Sequence, residues 1–364
     1  MERSAGVSRS LVSLKLTGSH YDVGYELGKR MGKEIREYLA EMDGHIKMLK
    51  QFADSNEGRE TYKRFLDTVT SSYPLYRREL EGTADGAGIE FEKLFLLSIE
   101  PELTTLFGDN SVVELSTLSD ESRHLSQSNG CTDIYVRNTA TNTFVLGHSE
   151  DGAPSMDKAV VWLDMDITDT WNGETVNEKF LAFTIAGTMP GNMFNIMSQN
   201  LMSSANNVYQ KTVNRSGIPR RFFMRAILSA KSFEDVVKTI HKPPGIASAY
   251  NINLIHPVYD SSVNSSEELV CTSIELAGNP NGVHMCITPC EDFFTHTNLF
   301  QYLTTPCYQE ESSIQREKVL ESWRGRCSNM TKSDVIKILS NQDNSSFPVF
   351  RTGKKPDYLS TGCI

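Results

Sequence analysis

The chain has 364 residues, with 46 acidic against 36 basic side chains and a formal charge of −10. It therefore lacks the excess of basic charge that a dedicated nucleic-acid binder uses to displace counterions. At 39% hydrophobic and 23% charged, it has the composition of a folded chain with a sizeable core, which excludes a disordered one.

No apolar run reaches the roughly 20 residues that span a bilayer. The N-terminal MERSAGVSRSLVSLKL is polar and lacks the apolar stretch of a secretory signal. Seven cysteines at irregular spacing do not form an extracellular disulfide framework. The expectation is a cytoplasmic enzyme or binding protein with neither nucleic-acid nor membrane partners.

The first hundred residues read as helical. Leu27, Met31 and Ile35 recur every four residues after Val23, and Leu39, Met42 and Ile46 continue the stripe. The polar residues from Ser19 to Asp22 suit the start of this helix. Gly24, Gly28 and Gly32 fall on one strip of it. Each costs roughly 1 kcal/mol against alanine, so close approach of another backbone is expected in compensation. A second helix is expected over Tyr62–Leu80, a turn-rich break over Glu81–Gly88, and an apolar helix over Phe91–Ile99. Ser116–Gly130 is rich in serine and reads as an exposed loop.

After that loop the texture changes to β-branched and aromatic runs separated by turn residues, the pattern of consecutive strands. The predicted strands are Thr132–Val136, Thr143–Leu146, Ala159–Ile167, Lys179–Ile185, Leu201–Val208, Tyr250–Ile255, Leu269–Leu276 and Gly282–Ile287. Helices are predicted over Pro219–Lys238, Ser312–Trp323 and Lys332–Leu339. The fold class is α+β with a helical N-terminal third.

Chemistry-bearing residues gather at the predicted strand ends. Cys131 stands where the polar loop enters a strand, directly after Asn129-Gly130. Alone it reads as a small buried hydrophobe. Gly147-His-Ser-Glu-Asp151, however, puts two carboxylates at the end of the next strand. Asn206-Asn207 ends another strand, and His296-Thr-Asn298 follows the aromatic pair Phe293-Phe294.

With these residues in place the sequence resembles the self-processing amidases and acyltransferases grouped with isopenicillin-N acyltransferase, a branch of the N-terminal-nucleophile hydrolases. Within that family it is most similar to the branch that hydrolyses N-β-alanyl-dopamine and carcinine. The stretches that carry the resemblance run in order from Gly18 to Glu317. They are GSHYDVGYELGKRMG, ELEGTADGAGIEFEKLFLL, NGCT, VLGHSEDG, AGTMPGN, GIPRRFFMRAIL, SIEL, THTN and ESSIQRE.

The resemblance implies a four-layer αββα sandwich and a precursor that cuts itself between Gly130 and Cys131. A helical chain 1–130 would then stay packed against a catalytic chain 131–364. It also implies that no cofactor or metal is needed and that the substrate is a small amide. Cys131 would be the nucleophile, with its freed α-amino group as base. Asp151 would orient that amine and thiol, and Asn298 would donate its side-chain amide to the oxyanion. Asn206 would add a backbone amide to the same hole, and Arg316 would lie near the nucleophile. Arg316 reads equally well as a helix-surface arginine.

Some positions depart from the family pattern. Asp133 stands where relatives carry a small hydroxyl residue, and on a strand it faces the same way as Cys131. Together with Glu150 it is a candidate substrate-binding carboxylate; the other reading of Asp133 is a solvated strand edge. Asn200 replaces a glycine, and asparagine is the next best residue at positive φ. The C-terminus is expected to be short by about two strands, which would uncover a sheet edge. Cys286 and Cys290 have the spacing of one zinc half-site, but no second pair follows, so no metal is expected.

Four functional readings remain open. They are an amidohydrolase, an acyltransferase using the same residues, an uncleaved binding protein, and a papain-like protease pairing Cys131 with His296.

Overall fold

The computed structural model describes residues 11–109, 130–138, 141, 143–197, 200–259, 267–308, 311–352 and 360–363. Most of the predicted polar loop, 116–129, lies outside the described residues. The fold is α+β, and no helix among the described residues is long and apolar enough to cross a membrane.

A short strand, β1 (Val12–Gly18), leads into α1 (His20–Glu41). Ser19 starts the helix with a capping box: its hydroxyl accepts from Asp22 N, and the Asp22 carboxylate accepts from Ser19 N at 3.0 Å. The apolar stripe continues past Met42, but α1 ends at Glu41 and a separate helix, α2 (Asp43–Asp54), starts after Met42. Next come α3 (Asn56–Ser72) and α4 (Pro74–Ala87). The single helix predicted over Tyr62–Leu80 is therefore two, divided at Pro74, whose ring is tolerated only in a first turn.

The break predicted over Glu81–Gly88 is absent. Helix α4 continues to Ala87 and ends on Gly88 in the left-handed region, φ 65°. Gly82 and Gly86 serve packing instead. A Cβ added to them would lie 2.2 Å from Tyr21 O and 2.1 Å from Tyr25 O of α1. Reciprocally, a Cβ on Gly24 or Gly28 would lie 2.0 Å from Glu79 O or 2.2 Å from Thr83 O of α4. The close backbone approach expected from the glycine strip is thus present, with α4 as the partner. α5 (Phe91–Ser98) and α6 (Glu100–Asp109) complete the N-terminal helices.

The remaining strands are β2 (Cys131–Asn138), β3 (Thr143–Gly152), β4 (Val160–Trp171), β5 (Glu174–Ile185), β6 (Phe194–Met197) and β7 (Met202–Asn207). They continue with β8 (Tyr250–Tyr259), β9 (Glu267–Asn279), β10 (Gly282–Pro289), β11 (Phe293–His296) and β12 (Ser360–Cys363). A short helix α7 (Met156–Ala159) precedes β4. The helix predicted over Pro219–Lys238 is two, α8 (Arg220–Ile227) and α9 (Phe233–Ile240), with Ser232 capping the second. The last helices are α10 (Glu311–Glu321) and α11 (Lys332–Leu339).

Two sheets result. The larger has the order β1-β4-β5-β6-β7-β8-β9-β10, with β1 parallel to β4 and the other neighbours antiparallel. The smaller is antiparallel with the order β11-β2-β3-β12.

Alternation along β2 sends its side chains two ways. Ile134 and Val136 pack with Leu320, Val335, Ile338 and Leu339 of α10 and α11, each buried aliphatic contributing about 1.5–3 kcal/mol. Tyr135 packs with Ile255 and Cys271 of the larger sheet. The main core joins Leu27, Met31 and Ile35 of α1 to Leu163 and Met165 of β4. Cys131 and Asp133 share the face of Tyr135, so the start of β2 presents its polar groups to the larger sheet.

Candidate active site

Cys131 is the first residue of β2 and is 1% exposed. Three amide donors converge on its sulfur. Asn298 Nδ2 lies 3.1 Å from Sγ, Asn206 Nδ2 3.4 Å and the backbone N of Asn207 3.4 Å. Asn206 therefore approaches with its side chain, and the backbone amide at the thiol belongs to Asn207, not to Asn206 as the sequence reading has it. Both residues lie in the β7–β8 ladder, Asn206 opposite Asn251 and Asn207 opposite Tyr250.

Asn298 also holds the other end of the residue. Its Oδ1 accepts from Cys131 N at 3.1 Å, while Nδ2 donates to Asn207 O at 2.8 Å. Its orientation is set by Arg316, whose Nη2 donates to Asn298 Oδ1 at 2.6 Å. Arg316 Nη1 donates to Cys131 O at 2.6 Å and to Thr132 Oγ1 at 2.7 Å. Arg316 is fully buried, so the helix-surface reading does not hold. Its planar fork spans three acceptors that a lysine would not reach together.

Gly130 precedes Cys131, and its carbonyl accepts from Asp151 N at 2.6 Å. A Cβ there would stand 2.9 Å from Arg316 Nη2, 3.0 Å from Asp151 Oδ2 and 3.1 Å from Asn298 Oδ1. Space among these groups is what requires glycine. Asp151 is buried, and its Oδ2 forms an ion pair with Arg351 Nε at 3.2 Å. Arg351 also donates to Ser312 Oγ, which accepts from Arg316 Nε at 3.4 Å. No motif marks Arg351, and sequence reasoning misses it.

Asp133 is 1% exposed, which overturns the solvated-edge reading. Its Oδ1 lies 2.6 Å from His148 Nδ1, and its Oδ2 accepts from Ser204 Oγ at 2.8 Å and Asn253 Nδ2 at 2.6 Å. Both oxygens are thus committed within the fold. The other nitrogen of His148, Nε2, lies 3.2 Å from Glu150 Oε2. Burial opposes charge on this imidazole, but the adjacent Asp133 and Glu150 outweigh it and hold its pKa up at about 10. The sequence reading names Asn207 beside Asn206 without giving it a role, and it does not single out His148, Ser204 or Asn253. Only their place on strands flanking Cys131 connects them to the site.

Burial pushes the Cys131 thiol far above its ordinary range, and the charges of Glu150 and Asp133 add to the shift. The sulfur is therefore a neutral thiol. His296 does not serve it. Its Nδ1 lies 2.6 Å from Thr297 O and its Nε2 3.2 Å from Glu275 Oε1, so the papain-like pairing is not formed. Asn200 has φ 63°, the conformation expected where it replaces glycine. Among the described residues no group of three or more His, Cys, Asp or Glu is placed to hold a metal ion.

Comparison with known proteins gives two findings. The family described as acyl-coenzyme A:6-aminopenicillanic acid acyl-transferase matches residues 137–362. That span includes Asp151, Asn206, Asn298 and Arg316 and begins after Cys131. The chain is also 27% identical to the beta-alanyl-dopamine/carcinine hydrolase of Drosophila melanogaster over 352 residues, covering 93% of this chain and 85% of the relative.

Proposed function

The chain belongs to the acyl-coenzyme A:6-aminopenicillanic acid acyl-transferase family, and on that premise we propose that it is a self-processing cysteine amidohydrolase of small aminoacyl amides. The fold proposed for it is the four-layer αββα sandwich of N-terminal-nucleophile hydrolases. One observation carries the reading: three amide N–H groups surround the Cys131 sulfur while Asn298 Oδ1 holds the Cys131 nitrogen.

Processing begins when Cys131 Sγ attacks the Gly130 carbonyl, whose oxygen already accepts from Asp151 N. The new S–C bond replaces the C–N bond, and the nitrogen leaves as the α-amine of Cys131, taking the thiol proton. Water opens the thioester and releases the Gly130 carboxylate. The amine so formed has an ordinary pKa of about 7.7–8.0 and serves as a base near neutral pH. An amide nitrogen has no such basicity, so the uncut chain is inactive.

In turnover the amine takes the thiol proton, and the sulfur attacks the substrate carbonyl. Asn298 Nδ2 and Asn207 N, 3.1 and 3.4 Å from the sulfur, would donate to the developing oxyanion, each donor contributing roughly 3 kcal/mol. The amine leaving group departs with a proton from the α-ammonium, and water resolves the acyl-enzyme. The relative that acts on β-alanyl-dopamine and carcinine supports β-alanyl amines as the substrates. A second reading, transfer of the acyl group from a thioester donor to an amine, is favoured by the family's description and uses the same residues.

The two chains are proposed to remain together, because one hydrophobic core joins residues 16–106 to strands β4–β9. A reducing, cytoplasmic setting suits a free thiol nucleophile. The test is turnover of a β-alanyl amine: wild type hydrolyses it and Cys131→Ala does not. Equal activity in that variant would remove Cys131 from the mechanism.

A further inference from the structure

Glu150 lies directly opposite Cys131 in the β2–β3 ladder, on the same face of the sheet. An acyl group on the sulfur therefore extends beside it. The other acceptors on this face are already occupied. Asp133 accepts from Ser204 and Asn253 and pairs with His148. Asn206 Oδ1 accepts from Asn251 and Asn253, and Asn298 Oδ1 from Cys131 N and Arg316.

Glu150 differs. Its single hydrogen-bond partner among the described residues is His148, at Oε2, and its side chain remains 12% exposed. Arg221, a cation whose charge reaches Glu150, is itself committed to Leu97 O and to Glu100. His148, held protonated, stands between the carboxyl groups of Asp133 and Glu150, and Glu150 is the open end of this chain. Burial raises the pKa of Glu150, with His148 pulling the other way, which is the environment an incoming cation relieves.

We infer that Glu150 is the subsite for a terminal ammonium on the acyl group, and that it selects ω-aminoacyl over plain acyl amides. The inference rests on the hydrolase reading above. Reach fits: a β-alanyl ammonium is three bonds from the carbonyl carbon, about 4 Å extended, and directly paired residues hold their Cβ atoms about 4.5–5.5 Å apart. His148 and Asp133 act as positioning residues that fix the carboxylate.

The experiment compares kcat/KM for N-β-alanyl-dopamine with that for N-butanoyl-dopamine, in which a methyl group replaces the ammonium. Intact mass verifies that each preparation is cut at Cys131. Wild type should favour the β-alanyl amide, and Glu150→Gln should reduce that ratio by about tenfold or more, the strength of a hydrogen bond between charged groups. Glu150→Asp withdraws the carboxylate by one methylene, so its preferred acyl group should lengthen from β-alanyl to γ-aminobutyryl.

A ratio unchanged by Glu150→Gln, or an unchanged chain-length optimum in Glu150→Asp, overturns the assignment while leaving the hydrolase reading intact. A correctly cut wild type that hydrolyses neither amide overturns both.

Discussion

At the scale of single residues, the site depends on how few groups do several tasks. Asn298 holds the Cys131 nitrogen with its oxygen and the sulfur with its nitrogen, and Arg316 fixes which end of the amide faces which atom. Replacing Asn298 with alanine removes one donor to the proposed oxyanion, and kcat should fall by about 100- to 1,000-fold. Steady-state kinetics on a β-alanyl amine check this, and a loss confined to KM would contradict it.

His148 gives a pH signature. Its folded pKa of about 10 lies above the ordinary value, near 6.5 when unfolded. Its contribution to stability is therefore fully present below about pH 6.5 and is lost as pH rises through about 10. Urea midpoints should fall between pH 7 and pH 10, and the fall should be shallower in His148→Gln. Parallel curves would show that the imidazole is not held charged.

At the scale of elements, the α1–α4 contact decides how tightly the N-terminal helices seat. A methyl group at Gly24 would lie 2.0 Å from the Glu79 carbonyl oxygen, and neither helix yields locally. At Gly32 the nearest atom is the side-chain end Arg36 Nη1 at 3.1 Å, which donates to Ala87 O, with Ala87 Cα at 3.3 Å. Gly24→Ala should therefore destabilise by about 1–3 kcal/mol despite a gain in helix propensity. Gly32→Ala should fall within about 1 kcal/mol of wild type, where propensity and slight crowding cancel. Denaturant melts of the two variants check the contrast; equal losses would mean that the strip is not a backbone contact.

The same contact shows where the sequence was legible. Long helices and strands were visible because their apolar periods of 3.6 and 2 survive in the folded chain. The supposed break at Glu81–Gly88 misled because glycine signals both a turn and a close approach, and only the partner helix tells which. β1 alternates Val12, Leu14 and Leu16, a readable signal obscured by the polar residues before it. β6 and β11, at four residues each, are too short for a period to register. Cys131, Asn298 and Arg316 stood in motifs. Arg351 and Asn253 reach Asp151 and Asp133 from distant stretches that carry no motif, through pairing that only the fold creates.

At the scale of the whole molecule, the N-terminal and C-terminal parts share buried charge as well as apolar core. Arg225 of α8 is fully buried and pairs with Glu79 of α4 and Glu178 of β5, each at 2.8 Å. Glu102 of α6 accepts from Arg220 N at 2.9 Å and Ser248 Oγ at 2.5 Å. A cut after residue 130 would leave all of these contacts in place, since none involves the bond that breaks. Under the proposed processing the two polypeptides would therefore stay together, and the cut would free the amine that the proposed chemistry needs.

Intact mass of the purified protein tests this most directly. The account predicts two species that copurify under native conditions, Met1–Gly130 and Cys131–Ile364, of 130 and 234 residues (364 minus 130), and a single full-length species in Cys131→Ala. A wild-type enzyme that hydrolyses a β-alanyl amine while remaining one uncut chain would contradict it.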